Sequence, residues 1–205
     1  MEAQSRQGPI EIAFVGDLTD NEADLTDKLL SVEPGGECTL YIDSPGGSPY
    51  CAMSLVSLML LRRIHATGIV TGECSSAALW PFAACKRRLV TPYSVLLFHP
   101  MKWQSEEHVG LSEAAEWARH FGTLEGEMDQ LLGELFNGAA NGEVNQWIVA
   151  GRYVSGRELA EAGLAELIDV RSFSLPETNG AAQFLAPSSR KRPAAAPSRK
   201  RRGRS

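Results

Sequence analysis

From about residue 10 to residue 100, short β-rich runs alternate with longer apolar helical ones, and this alternation constrains the fold more than any other feature. Ile10 to Val15 reads as a strand and Asp20 to Ser31 as a helix, with Leu25, Leu29 and Leu30 on one face and Thr19 or Asp20 as its cap. Cys38 to Ile42 is a second strand. A turn, "DSPGGS", leads to an apolar helix, Pro49 to Arg62, opened by proline. Thr67 to Thr71 is a third strand, ending at Gly72, and Ser76 to Cys85 a short buried helix. Leu89 to Thr91 and Val95 to Phe98 are further strands. Strand–helix–strand alternation demands crossover connections, so the sheet is expected to be largely parallel and the class α/β.

The second half is helical. Leu111 to Asn137 carries an apolar stripe of Trp117, Phe121, Leu124, Met128, Leu131, Leu132 and Leu135. Shorter helices are expected near Glu143 to Val149 and from Ser155, where Ser155 and Glu158 form a capping box. A last strand, Leu167 to Val170, closes the fold. The expected organisation is a short tail over 1–9, one domain over 10–177 and a tail over 178–205. Of the 20 Lys and Arg residues, eight lie in Arg190 to Ser205 with no acid, leaving 12 against all 25 Asp and Glu elsewhere. A basic Pro/Ala-rich end buries too little apolar surface to fold. It could meet nucleic acid through phosphate contacts, or simply solubilise an acidic body.

The four cysteines form no CxxC pair, and no histidine follows at a zinc-finger spacing. They read as buried thiols in a reducing compartment. With no secretory signal and no apolar run long enough to span a bilayer, the expectation is a cytoplasmic chain with no membrane contact, no metal and no organic cofactor.

Two turns could carry chemistry. In "YIDSPGGS", Tyr41 to Ser48, paired glycines let the backbone approach a ligand and aim N–H groups outward, although a plain strand-to-helix turn would look the same. In "GECSSAALWPFAAC", Gly72 to Cys85, a serine at a strand-to-helix junction would expose its Oγ above the sheet edge. The N–H of Ala77 would face the same way. The layout follows nucleophile-elbow logic without the GxSxG pattern, and Ser75 or Ser76 could equally be an N-cap. A serine nucleophile needs a base. His65 follows two arginines at a helix end, His108 lies in a polar loop and His120 on the long helix. His99 closes the strand "SVLLFH" at the sheet edge where sites gather.

Taken together, "IDSPGG", "GECSSAA" and "LLFHP" resemble the proteolytic subunit of the Clp serine protease, peptidase family S14, which reads strand–SPGG, G-x-A-S-M-G, then a strand ending H-Q-P. "RYVSGRELAEAGLAELIDV", Arg152 to Val170, resembles the closing segment of that family, so the likeness covers roughly Ile10 to Val170. The resemblance implies a crotonase/ClpP-like spiral of ββα units with a protruding handle helix. It implies a soluble homo-oligomer, heptameric rings in the family, acting on unfolded polypeptides. It assigns Ser76 as nucleophile, His99 as general base, and the N–H groups of Gly47 and Ala77 as the oxyanion hole.

The chain departs from the family pattern in places. The triad acid should precede the arginine of the closing segment, but Gly151 stands there. Three readings stay open: a Ser–His dyad, another polar group such as Glu143 or Asn145 orienting His99, or a silent ring subunit. Only "MEAQSRQGP" precedes the first strand, where the family carries an axial segment that helps engage an ATPase unfoldase, so that partner is left open. A crotonase-type acyl-CoA enzyme, using Glu73 near the helix start, would leave Ser76 and His99 idle.

Overall fold

The computed structural model describes residues 9–104, 108–136 and 141–173. The expected tails over 1–9 and 178–205, apart from Pro9, lie outside the described residues. The sheet is built from β1 (Ile10–Val15), β2 (Glu37–Ser44), β3 (His65–Ser75), β4 (Arg87–Val90), β5 (Val95–Leu97), β6 (Tyr153–Ser155) and β7 (Glu166–Leu167). The helices are α1 (Leu18–Ser31), α2 (Pro49–Leu61), α3 (Leu79–Ala83), α4 (Leu111–Leu135), α5 (Asn141–Ala150) and α6 (Gly156–Glu161), with a 3₁₀ turn over Ser76–Ala78. Strands run in the order β1-β2-β3-β4-β7, all parallel. β5 also pairs in parallel with β3, and β6 pairs antiparallel with β5. The α/β class and the largely parallel sheet stand as expected, and α4 is the long handle helix.

The helices pack against a sheet whose inward side chains form one core, among them Ile12, Phe14, Leu40, Ile42, Val70, Val90 and Leu96. α1 and α2 pack on each other, and Leu25 and Leu29 of α1 and Leu55 and Met59 of α2 are all buried. A second part of the core lies between sheet and helices, where Phe98 meets Trp147 at 5.2 Å and Phe136 packs edge-on against Phe82. Arg88 ties this part together. Its guanidinium lies over the Phe136 ring and donates to the carbonyls of Ala83, Cys85 and Leu164, so one cation satisfies backbone acceptors at the ends of α3 and α6.

Several elements differ from the sequence reading. α1 starts at Leu18 because Asp17, rather than Thr19 or Asp20, is the cap; its Oδ1 accepts from the Thr19 N–H at 2.8 Å. The expected short third strand is eleven residues long and runs through Gly72 to Ser75. Glu73 is therefore inside a strand rather than near a helix start. The helix expected over Ser76 to Cys85 is a 3₁₀ turn followed by the five residues of α3. β6 has no counterpart in the sequence reading; three residues between two helices give too short a period to read. The last strand is two residues, Glu166–Leu167. The capping box at Ser155 and Glu158 forms as expected.

The extra length of β3 positions everything that follows. Its first half, Thr67 to Val70, pairs with β4; its last three residues, Glu73 to Ser75, pair with β5. Between them the register against β2 shifts, so that Ser44 faces Cys74. Asp43 holds the shift: its Oδ1 accepts from the Glu73 N–H at 3.0 Å. A Cβ on Gly72 would lie 2.6 Å from that oxygen, so a side chain there would push the Asp43 carboxylate off this bond. The bulged strand thus leaves β4 and lies beside β5.

Candidate active site

Because β3 and β5 are parallel neighbours with Ser75 opposite Leu97, both strands end at the same edge of the sheet. Ser76 is the first residue beyond β3, and His99 lies two residues beyond β5. The structure thereby brings the expected nucleophile and base to adjacent strand ends. Ser76 has φ of 51°, one of only two non-glycine residues with positive φ among the described residues. Ser75 before it is extended, and the 3₁₀ turn begins at Ser76 itself. A serine held in the left-handed region at a strand-to-helix junction is strained by about 1–3 kcal/mol, and such strain concentrates at functional sites. Its side chain is partly exposed while Cys74, Ser75, Ala77 and Ala78 around it are buried.

The glycine turn meets this junction. A Cβ on Gly46 would stand 2.7 Å from the Ser75 carbonyl oxygen, 2.7 Å from Ser76 Cβ and 2.9 Å from the Ala77 nitrogen. Gly46 and Gly47 have φ of 102° and 151°, conformations that L side chains rarely adopt. The turn is fixed from behind. Ser44, fully buried, donates its hydroxyl to the Gly16 carbonyl and accepts from the Gly46 N–H, and the Gly46 carbonyl accepts from the Leu18 N–H. The Gly47 N–H has no hydrogen-bond partner among the described residues. Ala77, second in its turn, has no acceptor within the helix, as is general for a first helical turn. Two donors, from Gly47 and Ala77, thus belong to two backbone turns in van der Waals contact. Sequence reasoning missed Gly46 and Ser44, the residues that make this contact and hold it. The only sequence signal for Gly46 was the pairing of the glycines.

His99 Nδ1 lies 2.6 Å from the Pro100 carbonyl oxygen. A carbonyl can only accept, so in this arrangement Nδ1 carries the proton and Nε2 presents its lone pair. No hydrogen bond joins Ser76 to His99 among the described residues. The alternatives for an orienting group are placed elsewhere. Glu143 and Asn145 are exposed on α5, and neither bonds to His99. Gly151 is placed differently. β5 and β6 pair Leu97 with Tyr153, and the Phe98 N–H continues the ladder to the Arg152 carbonyl at 2.9 Å. Gly151 precedes Arg152 and His99 follows Phe98, so the two residues flank the same end of this ladder. Gly151 has φ of 64°, and a Cβ built on it would meet nothing within 4 Å.

The remaining reactive groups are in the core. Cys38, Cys74 and Cys85 are buried, and burial raises all three thiols, Cys38 to about 11. They are inert packing groups. No group of three or more His, Cys, Asp or Glu residues that could hold a metal occurs among the described residues. No helix there is long and apolar enough to cross a membrane.

Partly parallel sheet, strained serine, glycine turn and strand-end histidine define the class. The family model for the Clp protease matches residues 10–169, and the chain belongs to that family. It is similar to the ATP-dependent Clp protease proteolytic subunit 1 of Rhodococcus jostii (strain RHA1), with 34% identity over 95 residues. The match covers 43% of this chain and 43% of that relative, so the chain spans less than half of the relative's length.

Proposed function

We propose that the chain is a serine-type endopeptidase subunit that cleaves polypeptides through an acyl-enzyme on Ser76. The observation that carries this reading is the strained Ser76 at the end of β3, packed against Gly46 and one strand away from His99. Ser76 Oγ attacks the scissile carbonyl carbon and its proton passes to His99 Nε2. The oxygen, now negative, receives the N–H groups of Gly47 and Ala77. His99 then gives the proton to the departing amine, and water hydrolyses the ester by the same route reversed. The Pro100 carbonyl holds the tautomer that this sequence needs. On this reading residues 10–177 are the peptidase domain, flanked by tails over 1–9 and 178–205. The unit works in the cytoplasm as a homo-oligomer on unfolded chains, without metal or organic cofactor, as expected of a member of the family.

Gly151 favours a second reading, a ring or scaffold subunit that does not turn over, because glycine and not a carboxylate precedes Arg152 at the end of the ladder beside His99. Incubation with a fluorophosphonate followed by intact mass separates the two. A single adduct on the wild type that is absent from Ser76→Ala supports the peptidase. No adduct on the wild type, with the fold intact by circular dichroism, leaves the scaffold.

A further inference from the structure

The face of α4 that carries residues 126, 129, 130 and 133 does not close against α5. Gly126 and Gly133 bound the stripe without side chains, and a cavity of about 360 Å³ opens between the two helices. Two glycines inside a helix cost about 0.5–1 kcal/mol each relative to alanine, so the hollow is maintained against helix propensity. Ile148 of α5, buried, supplies an apolar wall, and Val149 stands at the exposed rim. The polar groups are Asp129, Gln130 and Asn145. Gln130 donates its amide N–H to Glu134 at 2.9 Å, which leaves its carbonyl oxygen as an acceptor. Asp129 is half-buried and makes no hydrogen bond or ion pair among the described residues.

Both helices that line this cavity are tied to chain near His99. Met101, two residues after His99, donates its N–H to Glu125 of α4 at 2.6 Å, next to Gly126. At the other side, Ile148 accepts through its carbonyl from the N–H of Gly151, which precedes Arg152, the ladder partner of Phe98. The walls of the cavity are therefore tied on both sides to the backbone around the histidine.

We infer that the α4–α5 cavity is a subsite for a cationic alkyl side chain of the substrate, lysine or arginine, with Asp129 as the counter-charge. Ile148 would cover the methylene stem, and the carbonyls of Gln130 and Asn145 would accept from the remaining donors of the head group. The substrate part of the inference rests on the reading of Ser76 and His99 as the peptidase centre; the binding part does not. The charged groups beside Asp129 on α4 are Glu125 and Glu127, and the α5 residues lining the cavity bring no charge. This charge favours a cation over an anion or a purely apolar group.

Two measurements test it. Binding of n-butylguanidine is followed by calorimetry at pH 7.5, with n-pentanol as the uncharged control, on the wild type, Asp129→Asn and Gly126→Leu. The expected result is binding by the wild type that is about tenfold or more weaker in Asp129→Asn and lost when Gly126→Leu fills the hollow. Absent binding, or binding that Asp129→Asn leaves unchanged, overturns the inference. The second measurement compares two fluorogenic peptides that differ only in arginine against norleucine. Preference for arginine that Asp129→Asn erases, while norleucine cleavage persists, makes the cavity a substrate subsite. Equal cleavage of both peptides overturns that assignment. Cleavage of neither, with guanidine binding intact, rejects the peptidase reading and leaves the cation pocket.

Discussion

At the scale of single residues, Gly151 decides how strong a base His99 would be under the proposed peptidase reading. It precedes Arg152, whose carbonyl takes the last bond of the β5–β6 ladder just before His99, and its Cβ position is open. A carbonyl can hold the Nδ1–H tautomer, as Pro100 does, but it is neutral and stabilises an imidazolium less than a carboxylate would. Disabling the aspartate of a serine-protease triad costs about 10⁴ in turnover. Gly151→Asp is therefore expected to accelerate fluorophosphonate labelling of Ser76 by about tenfold or more. The left-handed φ of 64° costs an aspartate about 1–2 kcal/mol, which the fold should tolerate. A rate that stays flat in a folded Gly151→Asp protein would mean that a carboxylate at this point does not reach the imidazole. Asp129 offers the opposite case, an acid present where stability would prefer none. Burial, and then Glu125, raise it from 3.8 to about 6. Its folded value lies above its unfolded one, so the folded state holds the proton more tightly and gains stability as pH falls from about 6 to about 4. Above pH 6 the ionised group is a net cost. Asp129→Asn is expected to raise stability at pH 7.5 by about 1 kcal/mol, a figure reduced because the group is half-exposed, and to leave it unchanged below pH 4. Denaturant titrations at the two pH values check this, and equal effects at both would rule out ionisation as the cause.

At the scale of elements, the site is made by one strand that changes partners. β3 leaves β4 at Asp43 and Gly72 and finishes beside β5, and without that shift Ser76 and His99 would not end on neighbouring strands. This was not legible in the sequence. The run from Thr67 to Thr71 looked complete because Gly72 ordinarily ends a strand, and here it is kept for the close approach of a carboxylate instead. The glycine pair, the two serines and the strand-end histidine were legible because each is a polar or backbone-permissive residue inserted in an apolar run. The cap at Asp17 was misread by two residues, since Asp17, Thr19 and Asp20 are all good caps and only the turn from Gly16 selects among them. β6 was missed for want of length. Its consequence, that Gly151 and His99 flank one end of the β5–β6 ladder, came from pairing between distant parts of the chain, Leu97 with Tyr153, which no local pattern carries.

At the scale of the whole molecule, the sheet is not closed on the β6 side. β6 pairs only with β5 among the described residues, and Tyr93, Val95 and Tyr153 near it are 73%, 42% and 64% exposed. Val95 and Tyr153 lie on one face, because Val95 alternates with Leu97 and Leu97 faces Tyr153. The first half of α4 is similar: Trp103, 44% exposed, stacks on Phe121 and meets Trp117 edge-on, with little of the body beneath. An unpaired strand edge beside exposed aromatic rings is a liability for a monomer and an asset for an assembly. Light scattering at micromolar concentration is expected to give a multiple of the 22.2 kDa chain. Tyr153→Lys, which sets a charge beside Leu97 at the free edge, is expected to shift the distribution to smaller species while circular dichroism keeps its helical signal. A monomeric wild type would show that the edge is tolerated alone. An assembly indifferent to Tyr153→Lys would move the contact to the aromatic face of α4, where Trp103→Lys provides the same comparison.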